Sequence, residues 1–216
     1  MLERSSVLTG VLKSGGRDGS GGQRRLQIGE ARGWELVQLA AFPTSQTELE
    51  RVVRPLFGTD LPARVGKAST VGHRVLLKIG PGQFWIITRN DNDVAPALRC
   101  AVDPVLGSIT VLSHSRTCIW LDGSAARDVL AMGIAVDLSP DVFELNSFAL
   151  TGLHHTPIII HRSSATRYDL YALRTFALWT WEWLVDAALP FGYEISEARK
   201  PSTLPRSSAS RPVHSS

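Results

Sequence analysis

The chain has only two cysteines, Cys100 and Cys118. They lie far apart and neither belongs to a C-x-x-C, which argues against a zinc site, a redox pair or a disulfide scaffold. Two buried thiols in a reducing compartment fit this usage. No apolar run approaches the ~18 residues of a membrane span, and residues 1–15 lack the uninterrupted apolar core of a secretory signal. The expected location is therefore the cytoplasm. Charge of one sign is also missing. Lys+Arg total 23 against 20 Asp+Glu, a formal charge of +3. The arginines are scattered, so there is no nucleic-acid footprint and no electrostatic preference for a membrane. Residues 14–22, SGGRDGSGG, are glycine-rich but fail both the P-loop and the G-x-G-x-x-G spacing, and read as a flexible linker.

What is present is enough for a core. The 216 residues are 44% hydrophobic and 20% charged, the balance of a soluble globular chain with room for one large or two small domains. Residues 112–133, LSHSRTCIWLDGSAARDVLAMG, organise the reading. Thr117, Ile119 and Leu121 alternate with Cys118, Trp120 and Asp122, the period of a strand covered on both faces. Asp122-Gly123 turns the chain and Ser124 is placed to cap a helix. Ala125, Ala126, Val129, Leu130 and Met132 follow at helical spacing, and Gly133 is placed to end the helix with positive φ.

The flanking segments repeat this alternation. Residues 23–42 read as two strands around a turn at Gly33. Residues 45–57 read as a helix capped by Ser45 or Thr47, with Leu49, Val52, Val53 and Leu56 on its apolar face and Pro55 and Gly58 at its end. Strands are expected over 73–79 and 84–88 about Gly80-Pro81-Gly82, then a short helix to Cys100 capped by Asn90 or Asp91. The second half has strands within 108–122, 156–161 and 167–172, and a closing helix over 174–189. VLLKIGPGQFWIITRNDNDVAPALRCAV and TPIIIHRSSATRYDLYALRTFALWTWEWLV share one grammar: apolar strand, turn, aromatic-bearing strand, helix. The predicted fold class is α+β, with two similarly built halves, 23–105 and 106–195, each an antiparallel sheet backed by helices. A flexible segment, 1–22, precedes them. A serine-, proline- and arginine-rich tail, 196–216, follows and is expected to be disordered.

The candidate chemistry is thin. Ser113-His114-Ser115 sets a hydroxyl beside an imidazole, but neighbours in a strand point to opposite faces and cannot pair as nucleophile and base. They read as strand-edge polar residues. His154, His155 and His161 have no carboxylate near them in sequence to complete a metal set. No catalytic, cofactor-binding or metal-binding residue is predicted. The closing helix is the physical oddity. Trp179 and Trp183 share one side, Trp181 lies nearly opposite, and only Thr175, expected as the cap, with Glu182 and Asp186 forms a polar strip. A surface helix shows a wider polar face than this. The helix is either sandwiched within its own domain or partly covered by another chain. Trp181, flanked by Leu178 and Val185, is expected to pack on the sheet. Trp179, Trp183 and Phe176 are the partner-interface candidates.

The runs SHSRTCIWLDGSAARDVLAMG, PIIIHR and RYDLYALRTFALWTWEWLVDAA, with IGPGQFWII upstream, resemble the gamma subunit of heterotetrameric sarcosine oxidase over roughly Leu26 to Tyr193. That family resembles in turn the folate-binding aminomethyltransferases of glycine cleavage. Tyr168-Asp169 looks like their aromatic-acid pair. Ala165 stands where they carry a folate-holding glutamate, and their acidic pair after two glycines is absent. The resemblance implies a non-catalytic subunit of a complex that oxidatively demethylates sarcosine to glycine and passes the one-carbon unit to tetrahydrofolate. It implies FAD, FMN, NAD, tetrahydrofolate and zinc on the partner subunits. The alpha subunit would be the direct partner, through its folate-binding half, with beta and delta in the complex. The equivalent subunit of a related N-methyl-amino-acid dehydrogenase and a free-standing folate-binding protein remain the alternatives.

Overall fold

The alternating apolar runs at 116–122 and 167–173 become strands buried on both faces. The structure is a computed structural model and describes residues 6–89 and 94–196. In chain order the elements are β1 (Gly15–Arg17), β2 (Leu26–Ala31), β3 (Trp34–Ala41), α1 (Gln46–Phe57), β4 (Ala68–Val71), β5 (Arg74–Gly80), β6 (Gln83–Arg89) and α2 (Val94–Ala101). They continue with β7 (Gly107–Val111), β8 (Arg116–Asp122), α3 (Ala126–Ala131), β9 (Phe148–Leu153), β10 (Thr156–Arg162), β11 (Arg167–Leu173), α4 (Ala177–Ala188) and β12 (Tyr193–Ser196).

Two sheets form, in the orders β1-β12-β2-β8-β11-β10-β9 and β4-β5-β6-β3-β7. Each half of the chain runs strand, strand, helix, three strands, helix. The opening strands change places. β2 pairs with β8 in the second half's sheet, and β7 pairs with β3 in the first half's sheet. The reading of an α+β fold with two helix-backed sheets holds. The larger sheet is mixed rather than purely antiparallel, because β12 returns parallel to β2.

Strand alternation sets the layers. On β8, Ile119 and Leu121 face the core under α3 and α4, while Cys118 and Trp120 face the other sheet. On β6, Phe84 and Ile86 face the core under α1 and α2, while Trp85 and Ile87 face β8's sheet. The order is helices, sheet, sheet, helices, and the middle apolar layer joins the two halves.

Several local expectations give way. Residues 14–22 are not all linker, since β1 pairs with β12, and Leu8 and Leu12 before it are buried in the core. Ser45, Ser124 and Thr175 make no capping bond. α3 starts from Ala125, and α4 follows a tight turn over Arg174–Phe176. Ser124 Oγ instead accepts from Arg25 Nε at 3.4 Å. Ser113-His114-Ser115 lies in the turn between β7 and β8, where buried Ser113 Oγ accepts from the Leu36 amide at 2.9 Å. Ser196 belongs to β12, so the expected tail loses its first residue to a strand. The rest of that tail and the Asn90 or Asp91 cap lie outside the described residues. β4, β9 and β12 carry no strong period-2 pattern, and their neighbours recruit them.

Candidate functional site

Helix α4 turns Ala177, Thr180, Trp181, Leu184, Ala187 and Ala188 into the core. Trp181 keeps 3% of its surface, as expected of the sheet-facing side. Leu178 does not join it and stays exposed, because it sits 60° around the helix from Trp181, outside the buried arc. On the far side, Trp179 is 39% exposed and Phe176 at the helix start 42% exposed, while Trp183 is half-buried. Glu182 and Asp186 flank this ridge and are exposed.

The ridge is held in place. The Trp183 ring lies on Gly133, where an added Cβ would come within 2.6 Å of Cζ2. Gly133 is not in the positive-φ region, so it ends α3 for a different reason from the one expected: the ring needs the space. His154 sits in the two-residue turn between β9 and β10 at φ 50°. Its ring meets Trp183 edge-on, with centroids 5.4 Å apart, and Trp179 with centroids 6.3 Å apart. The His154 amide donates to the Gly133 carbonyl at 3.0 Å. Two chain-distant residues thus clamp the tryptophans. Sequence reasoning missed His154 in this role. Its one signal was a polar pair between two apolar strands.

A second polar group lies between the sheets. Gly29, Trp120, Asp169, His161 and Phe148 follow one another across β2, β8, β11, β10 and β9 in register. The Arg167 guanidinium lies 4.5 Å over the Trp120 ring, and its Nε donates to Asp169 Oδ1 at 3.0 Å. His161 is 1% exposed. Burial pushes its imidazole below the ordinary range, against the pull of the Asp169 carboxylate. Both its nitrogens and Trp120 Nε1 are without a hydrogen-bond partner. Tyr168 points to the opposite face, and burial pushes its phenol up. His161 is therefore kept apart from His154 and His155, and among the described residues no three His, Cys, Asp or Glu side chains gather as a metal set.

No family model matches the chain. A curated relative from Corynebacterium sp. strain P-1, sarcosine oxidase subunit gamma, is 31% identical over 138 residues, covering 63% of this chain and 68% of the relative. The chain belongs to the sarcosine oxidase gamma-subunit family. The relative from Corynebacterium sp. strain U-96 is 30% identical over 135 residues, covering 62% of this chain and 66% of that one. A chain of the solved heterotetrameric sarcosine oxidase from strain U-96, in complex with pyrrole 2-carboxylate, superposes with a TM-score of 0.73 at 27% identity, over 79% of this chain and 87% of that one. Glycine cleavage system aminomethyltransferase T from Bartonella henselae shares the fold, with a TM-score of 0.59 at 13% identity, over 82% of this chain and 48% of that one.

The turn between β10 and β11 is held by its own hydrogen bonds in this gamma-subunit family member. The Ala165 carbonyl accepts from Arg162 Nη2 at 3.2 Å, and Thr166 Oγ1 donates to Asp122 Oδ1 at 2.7 Å. Arg167, one residue on, lies over Trp120. Among the described residues no helix is long and apolar enough to cross a membrane.

Proposed function

We propose that this chain is the gamma subunit of a heterotetrameric sarcosine oxidase and acts by docking. Its direct partner is the alpha subunit, with beta and delta completing the complex in the cytoplasm. The complex demethylates sarcosine oxidatively and passes the one-carbon unit to tetrahydrofolate. FAD, FMN, NAD, tetrahydrofolate and zinc belong to the other subunits. The residues of this chain do not fit folate at the turn where the fold's relatives hold it, because Ala165 supplies no carboxylate. No step of the reaction is assigned to this chain.

The observation that carries the docking reading is Trp179. It stands 39% exposed on the helix whose other face buries Trp181, and His154 holds its ring edge-on. An exposed, preorganised tryptophan loses little side-chain entropy on binding, and tryptophan is enriched among residues that anchor interfaces. Trp183 and Phe176 extend the same surface.

The test is co-purification with a co-expressed alpha subunit, alongside urea melts. Trp179→Ala is expected to keep the melt and weaken assembly by ~2 kcal/mol or more, as truncated anchors do. Trp181→Ala is expected to lose ~3–5 kcal/mol of folding stability. Unchanged assembly of both Trp179→Ala and Trp183→Ala would remove α4 as the docking surface.

A further inference from the structure

The exposed side of α4 carries two parallel rows. Trp179 and Trp183 form one, and Leu178, Glu182 and Asp186 the other, each residue one turn from the next. At 100° per residue, Asp186 lies ~20° and Glu182 ~60° around the helix from Trp179. Both carboxylates are exposed, and so is Leu178 before them. The helix, ALWTWEWLVDAA, has these two acids and no lysine, arginine or histidine.

That placement works against the isolated helix. Glu182 and Asp186 are a like-charge pair at i,i+4, which destabilises a helix. Asp186 also stands in the last turn, where the helix dipole favours a cation. The positions one turn before and after the pair hold Leu178 and Pro190, which offset neither effect. Among the described residues neither carboxylate makes an ion pair. The other helices differ. Every acid on α1 and α3 has a partner on its own helix: Glu48 with Arg51, Glu50 with Gln46 and Asp128 with Arg127. The uncompensated charge is confined to the face that bears the exposed tryptophan.

We propose that this face receives an arginine of another subunit, laid on the Trp179 ring and paired with the Glu182–Asp186 row. This rests on the reading of α4 as the docking face. Charge and ring chemistry, not that reading, set the occupant. A cation removes both penalties on α4 at once. Arginine suits the site better than lysine, because a planar guanidinium stacks on an indole while its edge donates to carboxylates. The chain already uses these three groups together between its sheets, where the Arg167 guanidinium lies over Trp120 and Nε donates to Asp169 Oδ1. On its exposed side α4 supplies the indole and the carboxylates but no guanidinium. A second copy is a poorer occupant, since each copy carries a formal charge of +3 and the two repel as wholes.

The experiment is Asp186→Lys in the full chain, read by urea melts and by co-purification with a co-expressed alpha subunit at several salt concentrations. In the free chain the substitution removes the like-charge pair, sets a cation four residues after Glu182 and suits the dipole, so the melt midpoint should rise. Assembly should nevertheless weaken by about tenfold or more, because like charges then meet across the interface. Wild-type assembly should weaken as salt rises, and that of the variant less steeply. Glu182→Gln should keep the melt and weaken assembly by a smaller factor. Unchanged assembly of Asp186→Lys would overturn the proposal, as would wild-type assembly indifferent to salt. A lower melt for Asp186→Lys would show that the carboxylate serves the chain's own fold, and would overturn it too. If Trp179→Ala weakens assembly and Asp186→Lys does not, the docking reading stands and the arginine fails. If neither these variants nor Trp183→Ala affects assembly, the docking reading itself fails. A dimer of the isolated chain that Asp186→Lys disperses would give the row to a second copy and overturn the assignment to another subunit.

Discussion

Replacing Gly133 by alanine would drive a methyl group into the Trp183 ring. The added Cβ would lie 2.6 Å from Cζ2, 2.7 Å from Cη2 and 2.9 Å from Leu153 Cδ1, where carbon contacts normally sit at ~3.5–4.0 Å. The ring cannot retreat freely, because His154 stands against its edge. Overpacking of this kind costs ~1–3 kcal/mol. Gly133 does not need positive φ, so alanine returns ~0.4–1 kcal/mol by restricting the unfolded chain. The expected net loss is about 1–2 kcal/mol, or a fall of ~2–8 °C in Tm at ~2–4 °C per kcal/mol. Urea melts of Gly133→Ala, Trp183→Ala and the double variant decide it. With the indole gone, the new methyl meets only the flexible end of Leu153, so the double variant should be more stable than the sum of the singles by ~1–2 kcal/mol. Additivity within ~0.5 kcal/mol would show that the ring is not the reason for a glycine there. Because Trp183 belongs to the docking ridge, Gly133→Ala should also weaken co-purification with alpha at a temperature where the fold is intact.

The other predictions concern the layer between the sheets and the exchange of strands. The folded pKa of His161 is depressed by burial, so the unfolded chain binds the extra proton below its ordinary pKa of ~6.5. Stability should therefore fall as pH drops through ~6.5, by up to ~1.4 kcal/mol per pH unit until the folded pKa is reached. His161→Leu should flatten that slope in urea melts, and parallel curves for the two proteins would refute the assignment. Arg167→Met strands the largely buried Asp169 carboxylate and should cost ~3 kcal/mol or more. Adding Asp169→Asn should recover part of it in thermal melts, and no recovery would mean that the guanidinium matters for packing on Trp120 instead. Residues 106–196 alone lack β2, which pairs with β8 along Gln27–Ala31. That fragment should show no cooperative melt, and a two-state transition would contradict the interlock.

The sequence alone determined the elements whose signal is local. Thr117 to Asp122 alternates because both faces of β8 are buried, and period 2 is legible without knowing what covers either face. The αL glycine at Gly58 and the turn at Gly33 follow from backbone sterics within a few residues. The separation of Trp181 from Trp179 and Trp183 follows from 3.6 residues per turn. Tertiary structure decided whatever depends on a residue far along the chain. Gly133 looked like a helix terminator, and its reason is a ring fifty residues later. His154 looked like half of a polar turn, and it clamps two tryptophans. β2 and β7 read as ordinary first strands, yet each crosses to the other half's sheet, because a strand's pattern fixes which face is apolar and not which neighbour supplies its hydrogen bonds.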